Sequence, residues 1–137
     1  MADCIFCLIV EGKIPALKVH EDAHTLAFMD INPGTEGHML VIPKKHAADL
    51  FAIEEDALAA VSQTAKRVVT AARTVLGFAG ANLFQSSGEV AGQTVFHFHM
   101  HILPRREGDA IRLPWTPRAG DKAALTALAE RIRTAVQ

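Results

Sequence analysis

The stretch His97-Phe98-His99-Met100-His101-Ile102-Leu103 constrains this chain more than any other. Imidazoles alternate there with large apolar side chains. A strand sends successive side chains to opposite faces, so the alternation predicts a strand over 95–103. His97, His99 and His101 then share one face, about 7 Å from one to the next. Phe96, Phe98, Met100 and Ile102 share the other face and can enter a core. A row of imidazoles is a poor core and a good site. It fits two kinds of chemistry, a three-histidine zinc centre or nucleophilic attack on phosphorus. Gln93 and Thr94, just ahead of the strand, offer neutral hydrogen-bond donors. Gly88 and Gly92 let backbone N–H groups approach an anion. A phosphate would use both features, and a catalytic zinc would need neither.

The 137 residues suit one domain, 1–137, with a core over about 3–106 and a tail and helix over 107–137. No long apolar run is present, so no membrane partner is expected. The start Met1-Ala2-Asp3-Cys4 lacks the basic and apolar regions of a secretion signal, which makes the cytoplasm the expected location. A net charge of −1 points away from nucleic acid as a partner. Cys4 and Cys7 form a Cys-x-x-Cys pair. It reads as half of a metal site in a reducing compartment, with idle thiols as the alternative. A redox pair fits the context poorly, because no strand precedes it.

The remaining pattern is mixed. Cys4 to Val10 reads as a helical turn with Ile5, Phe6 and Ile9 on its apolar side, ended by Gly12 and Pro15. Lys18 to Glu21 and Thr25 to Met29 read as a strand hairpin. Asn32-Pro33-Gly34 is a turn, and Gly37 to Ile42 a strand stopped by Pro43. Ile53 to Leu76 predicts a long helix, since Leu58, Val61, Ala65, Val68, Ala72 and Val75 step by three and four. Glu54, Glu55 and Asp56 suit its positive end, and Gly77 its stop. Ala81 to Gln85 is a further strand. Asp121 to Val136 reads as a last helix with Asp121 as N-cap and Leu125, Leu128 and Ile132 on one face. Strands mixed with one long sheet-covering helix make an α+β fold.

The triad stretch, its lead-in Ala91-Gly92-Gln93-Thr94-Val95-Phe96 and its exit Pro104-Arg105 resemble the signature of the histidine triad (HIT) family. The resemblance extends to Cys4-Ile5-Phe6-Cys7, Asp30-Ile31-Asn32-Pro33 and the run Gly37 to His46, and so covers about residues 3–106. It implies a five-stranded antiparallel sheet with one long helix, paired as a homodimer. It implies a nucleotide hydrolase that cleaves the α-phosphate linkage of purine nucleoside phosphoramidates through a nucleotidyl-histidine. Diadenosine polyphosphate hydrolysis and non-enzymatic nucleotide binding are the alternatives. On the matching positions His99 is the nucleophile, while His101 and His38 contact phosphate or leaving group. Asp30 meets the ribose hydroxyls of an AMP-type substrate, and a carboxylate suits a diol because it accepts two hydrogen bonds. Ile5, Phe6, Ile9, Phe28 and Ile31 surround the base. Some bacterial members are similar in binding structural zinc, which here would use Cys4, Cys7, His46 and His97. No cofactor is then needed for catalysis. The chain departs from the family at Ser86, where Asn or Gln usually contacts the bridging phosphate; the shorter hydroxyl would work through a water.

Overall fold

Both faces of the sheet are covered in its middle, which explains why the strand Met39–Pro43 is buried at every position. The computed structural model describes residues 3–112 and 115–136. Residues 1, 2 and 137, and residues 113–114 of the expected irregular tail, lie outside the described residues. In chain order the elements are α1 (Ile5–Val10), β1 (Lys18–Glu21), β2 (Thr25–Met29), β3 (Met39–Pro43), α2 (Glu55–Leu76), β4 (Gly80–Phe84), β5 (Met100–Arg105) and α3 (Lys122–Ala135). The strands form one sheet in the order β1-β2-β3-β5-β4, antiparallel at every pairing. The five-stranded antiparallel α+β architecture is the expected one.

Register decides which side chains meet. Val41 lies opposite Ala27 on one side and Met100 on the other, and Met39 lies opposite Ile102. These residues, with Phe98, form the cluster that receives Val61, Ala65 and Val68 of α2. Leu40 lies opposite Phe28 and His101. That opposite face carries Leu26, Phe28, Leu40 and Ile42, packed under Phe6 and Ile9 of α1.

The helices follow their local signals. Cys4 caps α1 by accepting the Cys7 N–H at its sulfur. Ile53 and Leu58, flanking the start of α2, both pack against the first cluster, the positions of a hydrophobic staple. Gly77 ends α2 in the left-handed conformation, φ 70°, its N–H bonded to Arg73 O. Asp121 caps α3 through the Ala124 N–H. In the hairpin, the Asp22 carboxylate accepts the N–H groups of His24 and Thr25 and the Thr25 hydroxyl.

Several boundaries and faces differ from the sequence reading. The strand expected over 95–103 begins only at Met100 and runs to Arg105. Its ladder to β3 stops there, and the Phe98 N–H turns to Ala47 O at 2.7 Å. Phe98 still enters the core, fully buried, but Phe96 is 45% exposed and does not. Pro43 is the last residue of β3 and not its stop, because its missing N–H falls at the end of the ladder. β4 runs Gly80–Phe84, and α2 starts at Glu55, two residues later than Ile53. Val75 is 81% exposed, so the buried stripe of α2 fades before its last turn. Leu125, Leu128 and Ile132 of α3 are exposed too, and no apolar cluster of this chain includes them.

Phe96 and Phe98 therefore make a matched test. Phe98→Ala is expected to cost about 3–5 kcal/mol, the usual loss for a buried phenyl ring. Phe96→Ala should stay within about 0.5 kcal/mol, as for surface positions. Urea denaturation of both variants checks the pair; equal losses would contradict the burial.

Candidate functional site

The sheet face under α1 carries the imidazoles. His101 projects from β5, and His99 immediately precedes that strand. The Phe6 ring meets His99 edge-on at 5.2 Å between centroids and His97 at 5.9 Å. His99 and His101 lie 5.0 Å apart, centroid to centroid. The Phe84 ring, paired with His101 in the β4–β5 register, stacks on it at 4.4 Å with the planes 6° apart.

A cavity of about 400 Å³ opens beside them. Its wall includes Ile5, Phe6, Ile9, Phe28 and Ile31, with Asp30, Asn32, Thr94, His99 and His101 as its polar side chains. That is a mostly apolar concavity with a few convergent polar atoms, the usual form of a small-molecule site.

Hydrogen bonds select the tautomers. His99 Nδ1 donates to His97 O at 2.7 Å, which leaves the Nε2 lone pair free. His97 Nε2 donates to Pro43 O at 2.8 Å, leaving its Nδ1 free. His38 Nε2 lies 2.9 Å from His101 Nδ1 and 3.4 Å from Asp30 Oδ2. Burial dominates the electrostatics. It lowers His38 and His99 below the ordinary imidazole value of 6.5, with Asp30 opposing in both cases. Burial, aided by His99 and His38, takes His101 down to about 4.

The second cluster is the Cys4, Cys7, His46 and His97 set, whose ligand atoms all lie within 4.8 Å of one another. His97 Nδ1 stands 3.3 Å from Cys4 Sγ, 3.5 Å from Cys7 Sγ and 3.2 Å from His46 Nδ1; Cys7 Sγ is 3.4 Å from His46 Nδ1. A tetrahedral zinc with bonds of about 2.3 Å to sulfur and about 2.0 Å to nitrogen would set S–N edges of about 3.5 Å and N–N edges of about 3.3 Å. The four residues fit such an ion. The His97 bond to Pro43 O is also the outer-shell contact that a ligating imidazole makes.

Residues 11–108 match the model of the HIT domain. The chain belongs to the histidine triad family. It is similar to adenosine 5′-monophosphoramidase of Schizosaccharomyces pombe, 37% identical over 135 residues, 98% of either chain. It superposes on a HIT family protein from Bacillus anthracis with a TM-score of 0.92, at 39% identity over 98% of each chain. A zinc-bound histidine triad family protein from Mycobacterium smegmatis gives a TM-score of 0.77 at 37% identity, covering 98% of this chain and 99% of that one.

Measured against the family expectation, the fold brings eight of the expected side chains, and Thr94 besides, to one cavity. His38 is not part of the cavity wall and touches it through His101. Gln93 and Ser86 also stand outside the wall. The buried Gln93 amide clips the loop ahead of β5, accepting the Gly88 N–H and donating to Ala48 O and Val95 O. The Ser86 carbonyl accepts from Gln85 Nε2. The N–H of Gly92 is bonded to Glu89 O, so neither loop glycine points its N–H at a free anion. Other contributors were not named from the sequence: the Phe84 ring, the Pro43 and His97 carbonyls, and the Gly34 N–H, which donates to His38 Nδ1 at 2.9 Å. Only strand register could have found Phe84. The others are main-chain groups, which no residue letter marks.

His38 and His101 make stability depend on pH. Their folded values lie below 6.5, so the unfolded chain binds more protons than the native one as pH falls from 6.5 toward about 4. Their contribution is complete above 6.5 and declines through that window. Urea midpoints measured across it should fall, and fall less steeply in a His101→Gln protein, which cannot take up the proton. Equal slopes would mean the ring is solvated.

Proposed function

We propose that this HIT-family protein hydrolyses the α-phosphate linkage of adenosine-type phosphoramidates through a nucleotidyl-histidine on His99. The observation that carries the reading is the His99 Nδ1–H bond to His97 O, because it directs an unprotonated Nε2 to an apolar cavity. The near full-length similarity to an adenosine 5′-monophosphoramidase supports the substrate class.

In this reading the base sits among Ile5, Phe6, Ile9, Phe28 and Ile31, and Asp30 meets the ribose hydroxyls. One Asp30 oxygen already accepts the Asn32 N–H at 2.8 Å, which orients the carboxylate. His99 Nε2 attacks the α-phosphorus. The P–N bond breaks, and its electron pair leaves with the amine, which takes up one proton. Water then adds to phosphorus, displaces His99 and returns one proton, so the net reaction consumes one water and releases AMP. His101 and Thr94 donate to phosphoryl oxygens. The adjacent Gln93 holds the loop that carries Thr94, and Ser86 acts only through a water. Holding His99 on a packed segment supplies the orientation that such an attack requires.

Cys4, Cys7, His46 and His97 hold one structural zinc, which ties α1 to the segment that leads into β5. The unpaired edge of β4, with Leu83 and Phe84 exposed, supports a homodimer through that strand.

Two measurements test the reading. His99→Ala should stay folded and bind AMP, while turnover of an adenosine phosphoramidate falls about 10³-fold or more. Mass spectrometry of wild-type protein quenched without acid should find a nucleotidyl adduct on the peptide holding His99. Near-normal turnover by the variant would overturn His99 as the nucleophile, and AMP binding without turnover in the wild-type protein would return the non-enzymatic reading. For the metal, protein purified without chelator should carry about one zinc per chain, and Cys7→Ser should lose it and melt at lower temperature. A chain without zinc, whose melting ignores added zinc, would overturn the assignment.

A further inference from the structure

A second cavity, of about 440 Å³, shares Ile5, Thr94 and Val95 with the cavity beside His99. It reaches Cys4 and His46 of the sulfur–imidazole cluster, while Cys7 and His97 stand outside its wall. Cys4 is half-buried and Cys7 is buried, so the two thiols differ in access. Their sulfurs lie within 4.8 Å of each other. Cys4 Sγ also accepts the Cys7 N–H at 3.3 Å, which keeps the outer sulfur beside the inner residue.

The short helix α1 has two duties. Cys4 and Cys7 bring their sulfurs to the metal-ligating cluster, while Ile5, Phe6 and Ile9 form wall of the cavity beside His99. Six residues do not hold a helix in water by themselves. One anchor of α1 is the burial of Phe6 and Ile9 against β2 and β3. The other is the approach of its thiols to His46 and His97, at 3.4 and 3.3 Å. Withdrawing the sulfurs from the cluster would remove the second anchor from a helix that lines the cavity.

We propose that Cys4 is an oxidation site for a hydroperoxide, and that its disulfide with Cys7 expels the structural zinc and loosens the wall that α1 gives to the nucleotide. The inference rests on the zinc reading above and adds a control on the site that the zinc supports. Bound zinc keeps both thiols deprotonated, and the thiolate is the reactive form. The Cys4 thiolate attacks one peroxide oxygen and the O–O bond breaks. The hydroxide set free takes up a proton and leaves as water, and Cys4 becomes a sulfenic acid. The Cys7 thiolate then attacks the Cys4 sulfur, the S–O bond breaks, and a second hydroxide is protonated to water. Two thiolates, one peroxide and two protons become one disulfide and two waters, with two electrons passing from sulfur to oxygen. A disulfide sulfur is neutral, so two of the four ligands of a structural site are lost. Asp3 puts a carboxylate in the cavity wall, which favours a neutral hydroperoxide over an anionic oxidant. The pair is thereby a sensor of oxidant and not a turnover couple.

The test treats full-length, zinc-loaded protein with hydrogen peroxide. A chromogenic chelator should register about one zinc released per chain, and the non-reduced mass should be that of a single chain short of two hydrogens. Dimedone present during oxidation should tag Cys4, and not Cys7, by tandem mass spectrometry. Without dimedone, amide exchange over residues 4–10 should rise, and AMP should bind about tenfold more weakly, the scale of one lost aromatic contact. Thiol reductant with added zinc should restore both. Zinc retained at a peroxide dose that already converts methionine to its sulfoxide overturns the proposal. So does a disulfide between chains, a tag on Cys7, or a disulfide that leaves amide exchange and AMP affinity unchanged. A chain that takes up no zinc defeats the metal assignment and the proposal with it, whereas zinc held through the oxidation defeats the proposal alone.

Discussion

Three residue pairs between β3 and β5 carry the arrangement: Met39 with Ile102, Leu40 with His101, and Val41 with Met100. Strand alternation means that Met100 and Ile102 cannot pack toward α2 unless His101 lies on the face under α1. A slip of one residue would send the imidazoles into the apolar cluster and the apolar side chains into the cavity. Core burial therefore holds the site in register. The covering of the second face by Phe6 and Ile9 withdraws water from the same imidazoles and keeps them neutral. Packing and reactivity are consequences of one ladder.

Main-chain partners then divide the histidines. His97 and His99 both donate to carbonyls, but from opposite nitrogens. His97 is left with Nδ1 toward the cysteines, and His99 with Nε2 toward the cavity. His97 also lends its own carbonyl to His99, so the metal-ligating cluster and the cavity share one residue. A displacement of His97 would move the atom that orients His99.

Much of this was legible in local pattern. The steps of Leu58, Val61, Ala65 and Val68 marked the buried face of α2, and Asp121 marked the start of α3. The alternation at residues 97–102 separated Phe98 and Ile102 from His99 and His101, as found. Alternation could not say where the ladder would end. Residues 96–99 leave β3 because the chain turns at Pro43, and the Phe98 N–H finds Ala47 instead. Nor could periodicity separate Val75 from Val68, since burial depends on how far the sheet extends beneath the helix. The exposed faces of α3 and β4 show the same limit, because an apolar stripe does not name what covers it.

What the sequence determined by itself was the set of chemical groups and the face each would take: three imidazoles opposite an apolar row, two thiols one helical turn apart, and an acid at the end of β2. Side-chain identity and backbone period suffice for that. Only the tertiary structure decided which nitrogen of each imidazole carries the proton. The deciding partners are Pro43 O, His97 O and Gly34 N–H. Every residue offers a carbonyl and all but proline an N–H, so their presence at one position carries no information in the sequence. Their placement beside a ring is a property of the fold alone.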